Sequence, residues 1–263
     1  MYEQRAVLFL DILGFSQLVK DGKEHRLLAA LQHLQGRALE AQALGKMNFT
    51  AFSDCVVVST PLDGGAGALR IIYYAQFLAL DLLSRGFLTR GAIVAGPLFH
   101  EGGIVLGPAL VDAYALESKK ALYPRILVSS DIITTTVAGF LKSTDRSLVD
   151  SLSFFREDFD GYYHVDIFAK DASAPEAYRD DFGEDDENRR AVFLDALLTY
   201  IDRIFAAPPP EVAAEKYAWL ARYFFETCSK NLWPLPNNLP VPTQKRMQHE
   251  KELYDQIALD SQE

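Results

Sequence analysis

Two aspartates stand where apolar strands run out. Asp11 closes the run Ala6-Val7-Leu8-Phe9-Leu10, and Asp54, 43 residues further on, sits between Phe52-Ser53 and Cys55-Val56-Val57-Val58. A short unbroken apolar run is the pattern of a strand buried on both faces, and an ionised acid at its end needs a partner that offsets its desolvation. Singly, such an Asp also serves as a turn acceptor. As a pair, two carboxylates held close in a low dielectric repel strongly unless a cation lies between them, so a divalent metal is the expected occupant. After Asp11 the chain reads Ile12-Leu13-Gly14-Phe15-Ser16. Gly14 lets the backbone approach a phosphate closely, and a helix starting there presents free N–H groups to an anion. The chemistry expected is a metal ligand pair beside a phosphate cradle.

The surrounding elements follow from periodicity. Residues 5 to 11 form the first strand. Residues 24 to 44 carry Leu27, Leu28, Leu31, Leu34 and Leu39 at helical spacing, with Gly45 as a stop. Met47 to Ser53 and Cys55 to Thr60 predict a hairpin with Asp54 near its bend. A second amphipathic helix is predicted from about Ala68 to Ser84, then a strand over Leu88 to Ala95, a break at Gly96-Pro97, and an edge strand through Gly103 to Leu106. Gly107-Pro108 opens a helix to about Leu122, and Ile126 to Ser129 completes the sheet. The order β-α-β-β-α-β predicts a ferredoxin-like α+β fold with its helices on one face and the other face left for a partner. Beyond residue 170 the composition changes. Six acids between Asp180 and Glu187 make an acidic loop, and helices are expected over 189–206, 210–231 and 243–259, broken by prolines. The division is therefore residues 1–170 as a catalytic-type domain and 171–263 as an acidic loop and helical extension.

Composition narrows the partners. About half the residues are apolar, enough for one substantial core, and the net charge of −10 argues against a general nucleic-acid or anionic-membrane surface. No signal-peptide pattern precedes the first strand, and no apolar run approaches a membrane span of about 18 residues, so a cytoplasmic location is expected. Cys55 and Cys228 give neither a disulfide framework nor a CxxC site and are expected to be buried thiols. Arg90 reads first as an ion-pair residue, and His100-Glu101, in a Gly-rich hairpin, as exposed.

The string Phe9-x-Asp11-Ile12-x-Gly14-Phe15-Ser16, Asp54 on the next hairpin, the strand Arg90 to Pro97 and the helix start Gly107-Pro108-Ala109 together resemble the class III nucleotidyl cyclases over residues 5 to 130. The resemblance implies two divalent ions, Mn²⁺ or Mg²⁺, held by Asp11, Asp54 and the Ile12 carbonyl. It implies a triphosphate held by the backbone of Leu13, Gly14, Phe15 and Ser16, and a head-to-tail homodimer with sites between the chains. Departures accompany the matches. The family's base-reading positions fall at Thr50 and Ile104, and neither is the Lys or Glu of purine cyclases. The Asn and transition-state Arg positions fall at Val111 and Ala115, so Lys119 and Arg125 are the candidates to supply phosphate charge, with Lys120 more simply a solvated helix end. Phe49 and Phe52 flank Thr50 and either narrow a base pocket or pack the core.

The segments Ala113-Tyr114-x-Leu116-Glu117 and Tyr123-Pro124-Arg125-Ile126-Leu127-Val128-Ser129 look like the pyrimidine cyclases of Pycsar anti-phage defence. That resemblance implies conversion of UTP to 3′,5′-cyclic UMP and pyrophosphate, with the product activating a separate effector. The alternatives are a cytidylate cyclase making cyclic CMP, a purine cyclase, and a catalytically silent nucleotide-binding module.

Overall fold

A computed structural model describes residues 1–43, 47–143, 154–168 and 211–229. Its centre is the strand β1 (Glu3–Ile12), followed by a short helix α1 (Phe15–Lys20), helix α2 (Glu24–Ala43) and the hairpin β2 (Asn48–Phe52) and β3 (Cys55–Pro61). Helix α3 (Ala66–Ser84) leads into β4 (Thr89–Glu101), β5 (Ile104–Leu106), helix α4 (Pro108–Lys120), β6 (Ile126–Val128) and helix α5 (Ser130–Ser143). The described chain ends with β7 (Phe155–Glu157), β8 (Tyr163–Val165) and helix α6 (Glu211–Ser229).

The sheet order is β2-β3-β1-β4-β6-β8-β7, with β5 paired to β4. Its first four strands, 2-3-1-4, are the ferredoxin-like arrangement predicted from β-α-β-β-α-β. The fold is thus a mixed α+β sheet. β1 is antiparallel to both β3 and β4, and its residues 5 to 10 are buried on both faces between its neighbours and the layers above and below. Alternation along β1 divides the core. Ala6, Leu8, Leu10 and Ile12 join the large cluster with α2, α3, α5 and α6, while Val7 and Phe9 meet Ala109 and Ala113 on the other face.

Several expectations change here. Strand β4 runs through Gly96-Pro97 without a break, because β6 pairs only with Gly91, Ala92 and Ile93 and leaves an edge where the missing proline N–H costs no ladder bond. The helices do not all lie on one face: α4 crosses the face opposite α2 and α3. It can do so closely because its buried stripe begins Ala109 and Ala113, and a Cβ on Gly96 would already come within 3.2 Å of the Ala109 Cβ. Helix α5 was not anticipated. The segment Asp63–Leu83 is long and apolar enough to cross a membrane by length and composition, contrary to expectation, yet it is largely buried in the core. α6 covers the sheet, placing Trp219, Leu220, Tyr223 and Phe224 in the large cluster. The acidic loop, the helices over 189–206 and 243–259, the boundary at residue 170 and the Cys228 side chain lie outside the described residues or side chains.

Candidate metal and phosphate site

Register assembles the site. Asp11 on β1 pairs with Cys55 on β3 and with Arg90 on β4, so the three side chains form a row across adjacent strands on the α4 face. Asp54 occupies the two-residue turn between β2 and β3, beside Ser53 at φ 55, and its carbonyl accepts the Ile12 N–H at 3.1 Å. That bond ties the turn to the end of β1 and brings the second carboxylate next to the first. Ligand atoms of Asp11, Asp54 and Cys55 all lie within 4.8 Å of one another. Over the row comes Glu117, two turns beyond Ala109 on the buried stripe of α4. Arg90 Nε lies 3.1 Å from Asp11 Oδ2 and 2.7 Å from Glu117 Oε1. The second contact is ionic rather than an aligned hydrogen bond.

Electrostatics at this row is that of crowded acids. Burial, opposed by Arg90 and reinforced by Asp54, raises the Asp11 carboxyl above its ordinary range. Burial likewise raises Glu117, although Arg90 pulls it down. Cys55, 3.9 Å from an oxygen of each aspartate, is pushed up to about 12 by burial and then by the two carboxylates. In the metal-free site its thiol favours the protonated form, which sets it behind the two carboxylates as a ligand. The donors that remain are carboxylate oxygens, which suits Mg²⁺ or Mn²⁺. Asp11 and Asp54 fit such an ion, and the Asp54 charge that adds to the rise at Asp11 is part of the field that would attract it.

The phosphate loop is partly as expected. Gly14 caps α1 with φ 78, a left-handed conformation that a Cβ would strain, and its carbonyl accepts from the N–H groups of Gln17 and Leu18. No acceptor takes the N–H groups of Gly14, Phe15 or Ser16 among the described residues. Leu13 differs: its N–H donates to Leu88 O at 2.8 Å, so it is occupied in joining β1 to the start of β4.

The remaining predicted residues separate. Arg125 is not available to a phosphate: it is 3 % exposed, ion-paired to Asp158 and Asp160, and stacked near Tyr123 and Trp219. Its acidic partners come more than 30 residues later, which hid the pairing from local inspection. Lys119 is exposed, and Lys120 lies over the Tyr162 ring at 5.7 Å. Phe49 belongs to the core with α2, so it does not narrow a pocket on the α4 face. Thr50 and Phe52 alternate to the opposite face from Phe49, Thr50 half-buried and Phe52 exposed. Ile104 is exposed on β5. His100, expected at the surface, is 5 % exposed and bonded to Ser59 and Thr50. Glu117 was missed as a site residue because one acid in a mixed helix reads as solvent-facing. Its spacing of four from Ala113 was the signal.

No family model matches the chain, and none of the curated proteins matches it. Solved structures overlap it in part. The adenylyl cyclase CyaB from P. aeruginosa is 17% identical over 51% of this chain and 81% of that one, with a TM-score of 0.42. A bacterial light-regulated adenylyl cyclase is 17% identical over 65% of this chain and 93% of its own, with a TM-score of 0.44. The guanylate cyclase domain of RhGC from Catenaria anguillulae, solved in complex with GTP, is 18% identical over 62% and 96%, with a TM-score of 0.41. What this chain has in common with these cyclase domains is a mixed α+β sheet with helices.

Proposed function

We propose that the protein is a class III nucleotidyl cyclase that converts a nucleoside triphosphate, UTP foremost, into its 3′,5′-cyclic monophosphate and pyrophosphate. The observation that carries the reading is the juxtaposition of Asp11 and Asp54 carboxylates with the uncommitted N–H groups of Gly14, Phe15 and Ser16. The resemblance of the Phe9 to Ser16 string and of the Arg90 to Ala109 region supports it. Asp11 and Asp54, with the Ile12 carbonyl, are the residues to hold one or two divalent ions. Such ions supply Lewis acidity to the ribose 3′-hydroxyl and to the triphosphate. The N–H groups of Gly14 to Ser16 bind the terminal phosphates. The 3′-hydroxyl passes its proton to water and its oxygen forms a bond to the α-phosphorus, while the bond from that phosphorus to the pyrophosphate oxygen breaks in line and pyrophosphate leaves. No covalent enzyme intermediate is needed. Lys119 is the candidate to steady charge at the α-phosphorus.

The product would act in the cytoplasm as a second messenger on a separate effector, as in anti-phage defence. A homodimer is part of the proposal, supported by exposed Phe52, Ile104, Leu106, Val111 and Tyr114 on β2, β5 and α4. In a head-to-tail pair each chain supplies the metal half of one site. A mixed dimer of Asp11→Ala and wild-type chains should then keep about half the activity, and complete loss would exclude that geometry.

The decisive experiment is incubation of the full chain with each of the four ribonucleoside triphosphates and Mn²⁺, products being resolved by chromatography beside Asp54→Ala. Cyclic UMP that disappears in the variant is the expected result. Cyclic CMP, AMP or GMP would keep the chemistry and change the base. No product from any nucleotide would reduce the protein to a binding module.

A further inference from the structure

Arg125 carries one donor that the fold does not satisfy. Its terminal nitrogens face Asp158 and Asp160, and its side chain is wholly buried. Nε is buried too and has no acceptor among the described residues. An unpaired donor in the interior costs its desolvation, and more so on a charged group, so what surrounds it calls for an explanation. Arg125 is part of the wall of a cavity. About 20 Å³, room for one water-sized group, lies within about 300 Å³ of empty space that includes a mouth to solvent. Ala79 and Leu83 of α3, Leu88 and Thr89 at the start of β4, Arg125 and Leu220 of α6 all contribute to the wall, and every lining side chain except Thr89 and Arg125 is apolar. The groups that hold the rest of the guanidinium, namely Asp158, Asp160 and the rings of Tyr123 and Trp219, stand outside that wall. A water in the inner space would find the Nε–H and at best Thr89 as side-chain partners, fewer than the about three that typically hold a buried water.

We infer that this cavity is a binding site for a neutral, largely apolar small molecule with one carbonyl or hydroxyl oxygen, the oxygen accepting from Arg125 Nε and the apolar body filling the space between α3, β4 and α6. Apolar walls with a single convergent polar group are the usual make-up of a small-molecule site. Charge decides against an anion. Arg125 and Arg222, the latter 3.6 Å from Asp158, together balance Asp158 and Asp160, so no positive charge is left over to offset the desolvation of a ligand carboxylate. The Leu88 carbonyl accepts the Leu13 N–H at 2.8 Å, so one wall of the cavity is tied to the segment that leads into Gly14. The cavity holds no residue of the Asp11 row, and binding there is independent of cyclisation.

The test follows the full chain by NMR as cyclohexanone is added. The Arg125 Nε–H resonance, assigned through its own side-chain carbons, and the Leu13 amide should shift saturably. Methylenecyclohexane has the same shape without the acceptor. It should bind at least about tenfold more weakly, the worth of a hydrogen bond to a charged donor, and leave the Nε–H resonance in place. Cyclohexanecarboxylate should not bind. Ala79→Leu, which fills the cavity with apolar atoms, should abolish the cyclohexanone shifts. The ligands are compared on wild type, so that comparison stands even where the variant fails to fold. No saturable shift with cyclohexanone, equal binding of ketone and hydrocarbon, a preference for the carboxylate, or undiminished binding by a folded Ala79→Leu would each overturn the assignment. An Nε–H that exchanges magnetisation with one long-lived water and ignores the ketone would do the same, leaving the cavity a hydration site.

Discussion

Arg90 is the residue on which the candidate metal site turns. Its guanidinium touches both Asp11 and Glu117, so before any ion binds the acidic row already holds one positive charge, and that charge competes with a metal for Asp11. Glu117 draws it the other way. Replacing Glu117 by Gln should leave Arg90 to Asp11 alone and weaken Mn²⁺ binding by roughly tenfold, the lower end of what loss of a supporting partner costs. Replacing Arg90 by Gln should do the opposite to affinity, while destabilising the metal-free protein by about 3 kcal/mol because buried Glu117 loses its counter-charge. Free Mn²⁺ measured by electron paramagnetic resonance separates the two, and equal weakening in both variants would mean that Arg90 does not compete. Asp11 and Asp54 were legible in the sequence because a charge set directly against an apolar run contrasts with its neighbours. Glu117, Arg125 and His100 were not. Each owes its role to a partner far along the chain, and local pattern registers only that a charged or polar residue is present.

At the scale of elements, α4 determines whether Glu117 reaches that row. Its start is fixed by Gly107, at φ 149, where a Cβ would come within 2.6 Å of the Pro97 carbonyl oxygen. From that anchor Ala109, Ala113 and Glu117 fall in line toward the sheet. Gly107→Ala should push the helix off β4, costing about 1 to 3 kcal/mol for overpacking, and carry Glu117 away from Arg90. Urea unfolding gives the first effect and the weakened Mn²⁺ affinity of Glu117→Gln should reappear as the second; a variant of normal stability and affinity would show that α4 is placed by its apolar face alone. The βαββαβ order was legible because β1 to β4 each carry a strong local signal of alternation or apolar run. Which face α4 takes was not, since its small stripe of alanines has little hydrophobic contrast to declare a side.

Over the whole molecule, α6, β8 and the edge strand β7 close the core around His164. That ring is buried under Trp219 and Tyr223, and burial pushes its pKa down to about 4 from an ordinary 6.5. Between those values the unfolded chain takes up a proton that the folded one refuses, so this group's contribution is lost as pH falls from 6.5 to 4, by at most about 1.4 kcal/mol per pH unit. Urea midpoints of wild type and His164→Gln followed over that range should converge on acidification, and parallel curves would mean that the ring is charged in the fold. The same closure has a consequence for biosynthesis. The main apolar cluster draws on residues from Ala6 to Phe224, and Asp158 receives both Arg125 and the indole N–H of Trp219. A nascent chain emerging from the ribosome can pair β1 to β4 early, yet it must wait for residue 224 before its inner surface is sealed. During that interval Ile167 and Phe168 are exposed to whatever else is in the cell, which makes the order of translation, rather than the final contacts, the point at which a chaperone would meet this protein.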